Sequence, residues 1–234
     1  MIYLVADTET TDATDDRGVC EIGWVAIDED WNILERVDSL IDPEKDISAA
    51  ASGIHGLVNA DVENSPTLKE FFTLDDPSCY GRRFTGPVTL IGHRIGFDRP
   101  AFGPYVDGEV FELDTLRYVR QIFPDMDNHQ LSTCKYALNL PKDEGTAHRV
   151  MADVMVTYHL AKRVAQVMNM TLPELAKRFR VYYKKVDGQT ATSYTMDHSA
   201  GSYVYDTQGR VRLYTRYGSG APALAGDVKK LLAE

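Results

Sequence analysis

Five consecutive apolar residues, 2–6, run without a break into Asp7-Thr8-Glu9. An apolar run of that length suits a strand buried in the middle of a sheet, and it commits the chain to covering both faces of that sheet. Side chains alternate along a strand, so Asp7 and Glu9 point the same way, about 7 Å apart along the chain. Two carboxylates aimed at one spot repel each other unless something cationic sits between them. Hard divalent ions such as Mg²⁺ or Mn²⁺ take such oxygen ligands. The alternative is an exposed acidic loop after the strand.

At 234 residues and 44% hydrophobic content, the chain is expected to form one α/β domain with a small appendage. No window approaches the roughly 18 continuous apolar residues of a membrane span, and the first strand begins too early for a leader. The three cysteines, Cys20, Cys79 and Cys134, are far apart and in no metal spacing. That pattern predicts a reducing, cytoplasmic compartment, without structural disulfides or zinc. The net charge of −10 looks wrong for a partner of nucleic acid, but it is unevenly spread. Residues 177–217 hold eight Lys and Arg against three Asp, leaving that segment about +5 and the remainder about −15.

Strands are expected at 20–28 and 34–41, joined by a turn at 28–32, and again at 88–91 and 110–113. A short helical turn is read at 48–52. Ser65-Pro66-Thr67 is read as a cap with proline at the first helical position, opening a helix to about residue 74. Further helices are expected at 115–123, at 129–138 and, longest of all, at 146–168, where Val150, Val154, Thr157, Leu160, Ala161 and Val164 mark one face. Thr171-Leu172-Pro173-Glu174 has the form of a capping box. After residue 181, Tyr and Thr alternate with charge, which predicts one or two antiparallel hairpins and then a short helix at 226–232. The whole reads as a mixed five-stranded sheet flanked by helices, residues 1–180, with a β-hairpin extension at 181–234.

Three more features bear on Asp7 and Glu9. Asp98 follows a buried strand and a glycine-flanked turn, which places a third carboxylate at a strand end, where open α/β sheets put their sites. His148 precedes Asp153 by five residues. Mid-helix the two would stand about 140° apart, so His148 is expected in the lead-in or first turn, over a site that Asp153 faces. Four carboxylates and a histidine are the inventory for two-metal phosphodiester hydrolysis.

Asp7-Thr8-Glu9-Thr10, His93-x-x-x-Phe97-Asp98 and His148-x₄-Asp153 resemble the three motifs of the DEDDh 3′–5′ exonucleases, the group of exonuclease X, the polymerase proofreading subunit and ribonuclease T. Gly53-Ile54-His55-Gly56 is similar to a fourth family segment, and the resemblance covers roughly residues 1–170. It implies a ribonuclease H-like fold. It also implies that Asp7, Glu9, Asp98 and Asp153 hold two Mg²⁺ or Mn²⁺ ions while His148 serves as general base. Thr10 and the backbone of Thr8 match positions that meet the terminal nucleotide; Ile54 and His55 match the segment near its sugar and base.

Phe97 either stacks on substrate or fills the core beneath Asp98, and the core role is preferred. His93 is read as structural. Where the family usually has Asn, this chain has Arg94, which could add a phosphate contact or alter how the site is supported. The expected partner is nucleic acid with a free 3′ end, single-stranded DNA before RNA, with a polymerase or a second copy as further partners. A non-catalytic nucleic-acid or polymerase-binding module on the same fold is the rival reading. For the extension, tracking a nucleic-acid backbone and covering a sheet edge stand side by side.

Overall fold

The computed structural model describes residues 1–73, 84–141 and 149–177 with their side chains, together with the backbone of Arg178 and of four later strands. The chain divides into two compact units, Met1–Arg180 and Val181–Glu234.

The first unit is built on one mixed sheet. β1 (Ile2–Thr10), β2 (Val19–Ile27) and β3 (Ile33–Leu40) form an antiparallel meander. β4 (Val88–Gly92) and β5 (Val110–Asp114) continue the sheet on the other side of β1 as parallel strands, giving the order β3-β2-β1-β4-β5. Seven helices matter here: α1 (Ala49–His55), α2 (Leu68–Thr73), α3 (Arg99–Phe102), α4 (Thr115–Ile122), α5 (Leu131–Ala137), α6 (Val150–Met168) and α7 (Leu172–Arg178).

Alternation along β1 divides its apolar residues between two cores. Tyr3 and Val5 join Val25, Tyr118, Val154, Leu160 and Leu172 under α4 to α7. The opposite face carries Leu4, Ala6 and Leu90, packed with Trp24 and four phenylalanines. There the Trp24 indole stacks on Phe72 at 6.1 Å and meets Phe71, Phe84 and Phe102 edge-on. The six residues expected to mark one face of the long helix are all buried.

Helix ends differ from expectation where capping chemistry decides them. α1 runs on to His55, because Ser48 accepts from Ala51 N–H at one end and Gly56, at φ 79°, closes the other in the left-handed region. α2 opens at Thr67 rather than Ser65: Thr67 and Glu70 bond reciprocally, and Pro66 instead offers its carbonyl to Asp42 N–H. The same reciprocal bonding joins Thr171 and Glu174 ahead of α7. α6 starts at Val150. Residues 142–148, and the helix expected at 226–232, lie outside the described residues.

In the second unit, Tyr183–Asp187 pairs antiparallel with Tyr194–His198, and Gly201–Tyr205 with Val211–Arg216.

One glycine governs how closely α6 meets the sheet. Gly23 sits mid-strand in β2, opposite Asp7, and a Cβ there would stand 2.9 Å from Val150 Cγ1. The missing side chain is what lets the first turn of α6 lie down on the strands. Gly23→Val is expected to cost about 1–3 kcal/mol by overpacking. Thermal melts check this, with much of the loss recovered in Gly23→Val/Val150→Ala.

Candidate metal centre and adjoining cleft

β1 is longer than its parallel neighbour. It pairs with β4 only through Ile2 to Val5, and its second half continues past the end of β4 at Gly92. A backbone N–H on that open edge needs an acceptor. Asp98 supplies it: Oδ1 accepts from Thr8 N–H at 3.0 Å and from Thr8 Oγ1 at 2.7 Å. The chain leaving β4 thus folds back over the exposed end of β1 and delivers a carboxylate there.

Asp7 and Glu9 continue the row of Tyr3 and Val5, so they face the side covered by α6. Asp153, in the first turn of α6, meets them. One carboxylate oxygen from each of Asp7, Glu9 and Asp153 lies within 4.8 Å of the others. Asp98 stands beside this trio, one oxygen committed to Thr8.

The charges strain one another. Burial pushes the Glu9 carboxyl up to about 8, helped by Asp153, Glu21 and Asp98 and relieved by Arg149. Asp7 is raised well above the usual carboxylate range, first by burial and then by Asp98, Glu9, Asp153 and Glu21. Asp98 is pushed up to about 7 by burial, against the pull of its Thr8 hydrogen bonds and of Arg17.

Glu21, unnoticed in the sequence, fixes where Asp153 stands. It lies opposite Glu9 on β2 and is 3% exposed. Its carboxylate accepts from Arg149 Nε at 3.1 Å, from Arg149 Nη2 at 2.6 Å and from Val150 N–H at 3.2 Å. A strand residue therefore caps the helix. A charged residue inside the apolar run Cys20-Glu21-Ile22 was the available signal. His148, immediately before this clamp, lies outside the described residues.

A largely apolar hollow of about 330 Å³ opens beside Glu9 and gathers Thr8, Thr10, Ile54, His55 and Phe97. Ile54 is 61% exposed on its wall. His55 is held as structure: Nδ1 accepts from Leu57 N–H, so the ring proton sits on Nε2, 3.3 Å from Thr10 O. Behind it, Cys20 Sγ lies 3.8 Å from Nε2, and burial pushes that thiol up to about 12.

The preference for Phe97 as core filler is corrected. It belongs to none of the core clusters, is half-buried, and lies under the Arg17 guanidinium at 3.8 Å. Arg17 also donates to Phe97 O at 2.6 Å, a cation that the sequence reading missed. Arg94 is not brought to this cleft; it lines a separate hollow with Arg120 and His129. His93 is tied into the fold by Thr115 Oγ1 at 2.9 Å and His129 O at 2.7 Å.

These pKa shifts have a sign that can be measured. A carboxyl raised from 4.5 to about 8 on folding favours the fold below pH 4.5 and loses that favour as pH climbs through 8. In chelator, the wild-type melting temperature should therefore fall across that window. Glu9→Gln should flatten the fall and melt higher at pH 8, as read by scanning calorimetry.

Comparison with known proteins gives this geometry a family. The RNase T model, described as exonuclease, matches residues 4–161, the span that carries every carboxylate above. A SCO1/SenC model matches residues 166–233; within that span Leu172 and Leu175 of α7 belong to the core of the first unit. The 3′-5′ exonuclease DinG of Bacillus subtilis (strain 168) is 30% identical over 189 residues, 75% of this chain and 19% of that protein. A DNA polymerase III PolC-type protein of Latilactobacillus sakei subsp. sakei (strain 23K) is 28% identical over 182 residues, 72% of this chain and 12% of its own length. The chain thus spans a fifth or less of these two relatives. Exonuclease X, solved in complex with 5′ overhanging duplex DNA, shares the fold at a TM-score of 0.58 and 23% identity, over 75% of this chain and 97% of that one. The nuclease domain of 3′hExo, a DEDDh family member solved with rAMP, does so at 0.51 and 13% identity, over 71% of this chain and 92% of that one. By its sequence match over residues 4–161 this chain belongs to the RNase T exonuclease family, and it shares the fold of the DEDDh family member 3′hExo.

Proposed function

We propose that the chain is a metal-dependent 3′–5′ exonuclease that hydrolyses phosphodiester bonds inward from a free 3′ end, preferring single-stranded DNA and releasing nucleoside monophosphates. The observation that carries this is the trio Asp7, Glu9 and Asp153, with oxygens within 4.8 Å of one another beside Asp98 and an apolar cleft.

The donor set fits Mg²⁺ or Mn²⁺. It consists of hard carboxylate oxygens, and the raised pKa values of Asp7, Glu9 and Asp98 are those of acids waiting for a positive charge. Asp7, Glu9, Asp98 and Asp153 would hold two ions, which supply Lewis acidity toward water and toward the phosphate oxygens. The protein's own groups do the rest. Phe97 and Ile54 offer apolar surfaces to the terminal base, and Thr10 borders the same space. Thr8 keeps Asp98 in place. His148, by its spacing to Asp153, takes the proton from the attacking water.

Preference for DNA is supported by the DNA polymerase III relatives and by the DNA complex of exonuclease X. Those relatives also support a polymerase as partner. The exoribonuclease reading has a counterpart in a 3′-exonuclease solved with histone mRNA stem-loop, at a TM-score of 0.54 and 12% identity. No described helix is long and apolar enough to cross a membrane, and the described cysteines, Cys20 and Cys134, are free, in keeping with a cytoplasmic setting.

Labelled DNA and RNA of matched sequence, digested in one tube with Mn²⁺, test the proposal. Asp153→Ala should abolish digestion. Equal failure of wild type and variant would favour a binding module instead. His148→Ala should lower turnover by about 10²–10⁴-fold while Mn²⁺ titration stays as in wild type. A 3′-phosphate on the substrate should slow release, and rapid cutting of circular DNA would contradict the exonuclease mode.

A further inference from the structure

The geometry points to a second binding point for the substrate strand: a phosphate-binding hollow formed by Arg94, Arg120, Asn128, His129 and Gln130, behind the loop that carries Asp98. It deepens the function proposed above and rests on it. The hollow measures about 520 Å³, and its lining among the described residues contains no carboxylate, in a chain whose net charge is −10.

Arg94 and Arg120 are both exposed, and among the described residues neither is held in an ion pair. Asp114, the acid at the mouth of this loop, is already engaged. It accepts from Arg94 N–H at 2.9 Å and Leu116 N–H at 3.0 Å, and it faces Arg117 Nε at 3.5 Å. The two guanidiniums are therefore left for a ligand. Arg94 has φ 74°, in the left-handed region that glycine occupies without strain. A long cationic side chain kept at such a position is a hint of use.

The placement suits a strand whose 3′ end lies in the cleft. Arg94 and Asp98 belong to one tight turn, in which Arg94 O accepts from Phe97 N–H at 2.9 Å and Ile95 O from Asp98 N–H at 3.1 Å, so their Cα atoms stand closer than the roughly 14 Å of an extended chain. The ligand that fits is a phosphodiester within a few nucleotides of the 3′ end, gripped by arginine forks and by the Asn128 and Gln130 amides.

Hydrolysis of two substrates with Mn²⁺ tests this. One is a single-stranded DNA of about 20 nucleotides. The other is the p-nitrophenyl ester of thymidine 5′-monophosphate, which has one phosphodiester and cannot reach the hollow. In Arg94→Glu/Arg120→Glu, kcat/KM for the long substrate relative to the ester should fall about tenfold, through KM. The slope of log KM against log salt should flatten by about 0.7 for each phosphate that the protein no longer neutralises. An unchanged ratio and slope would overturn the hollow and leave the exonuclease standing; a wild type inactive on both substrates would overturn the two together. Arg94→Gly separates binding from folding. It should melt no lower than wild type while KM for the long substrate rises, and a clear drop in melting temperature would assign Arg94 to the fold instead.

Discussion

The centre depends on a mismatch in strand length. Because β1 outruns β4, the Thr8 N–H would be buried without a sheet partner, at a cost of about 1–3 kcal/mol. Asp98 removes that cost with Oδ1 and so arrives beside Asp7. The bond that completes the sheet edge is the same bond that adds the fourth acid. It also explains why Asp98 sits slightly apart from the other three, since only its second oxygen is uncommitted to Thr8.

Holding four acids together opposes folding, and the opposition is met elsewhere in the molecule. The aromatic cluster around Trp24 and the stripe of α6 bury large apolar surfaces on the two faces of the sheet. Glu21 adds a fifth negative charge to the neighbourhood, which raises Asp7 and Glu9 further, yet it spends that charge on Arg149 and on the amide end of α6. The helix is thereby pinned at the turn that carries Asp153. Gly23, two residues along β2, removes the bulk that would hold the turn away.

The fold was legible where burial follows sequence periodicity. The apolar run of β1, the six-residue stripe of α6 and the Thr171–Glu174 cap each have a local cause. The Asp7–Glu9 pair was legible for the same reason, as i and i+2 on one strand. Boundaries set by competing caps were not, as α1 and α2 show. Glu21 was missed because its partner is tertiary: a charge inside an apolar run marks the position, but nothing adjacent in the chain announces that a helix starting 129 residues later needs a cap. Arg17 and Phe97 meet across 80 residues for no reason visible in either segment. Arg94 shows the reverse, since a motif position next to His93 suggested the cleft and a left-handed turn put it elsewhere.

The buried pair Cys20 and His55 has a consequence for which elements can settle nearby. A sulfur and an imidazole lie 3.8 Å apart directly behind the cleft, a combination attractive to zinc or copper. Here neither is set up as a metal ligand. The thiol keeps its proton at neutral pH, and the ring is occupied by Leu57 on one side and turned with its hydrogen toward Thr10 on the other. Among the described residues, the atoms that Asp7, Glu9 and Asp153 gather for an ion are carboxylate oxygens, and this buried sulfur stays outside the set.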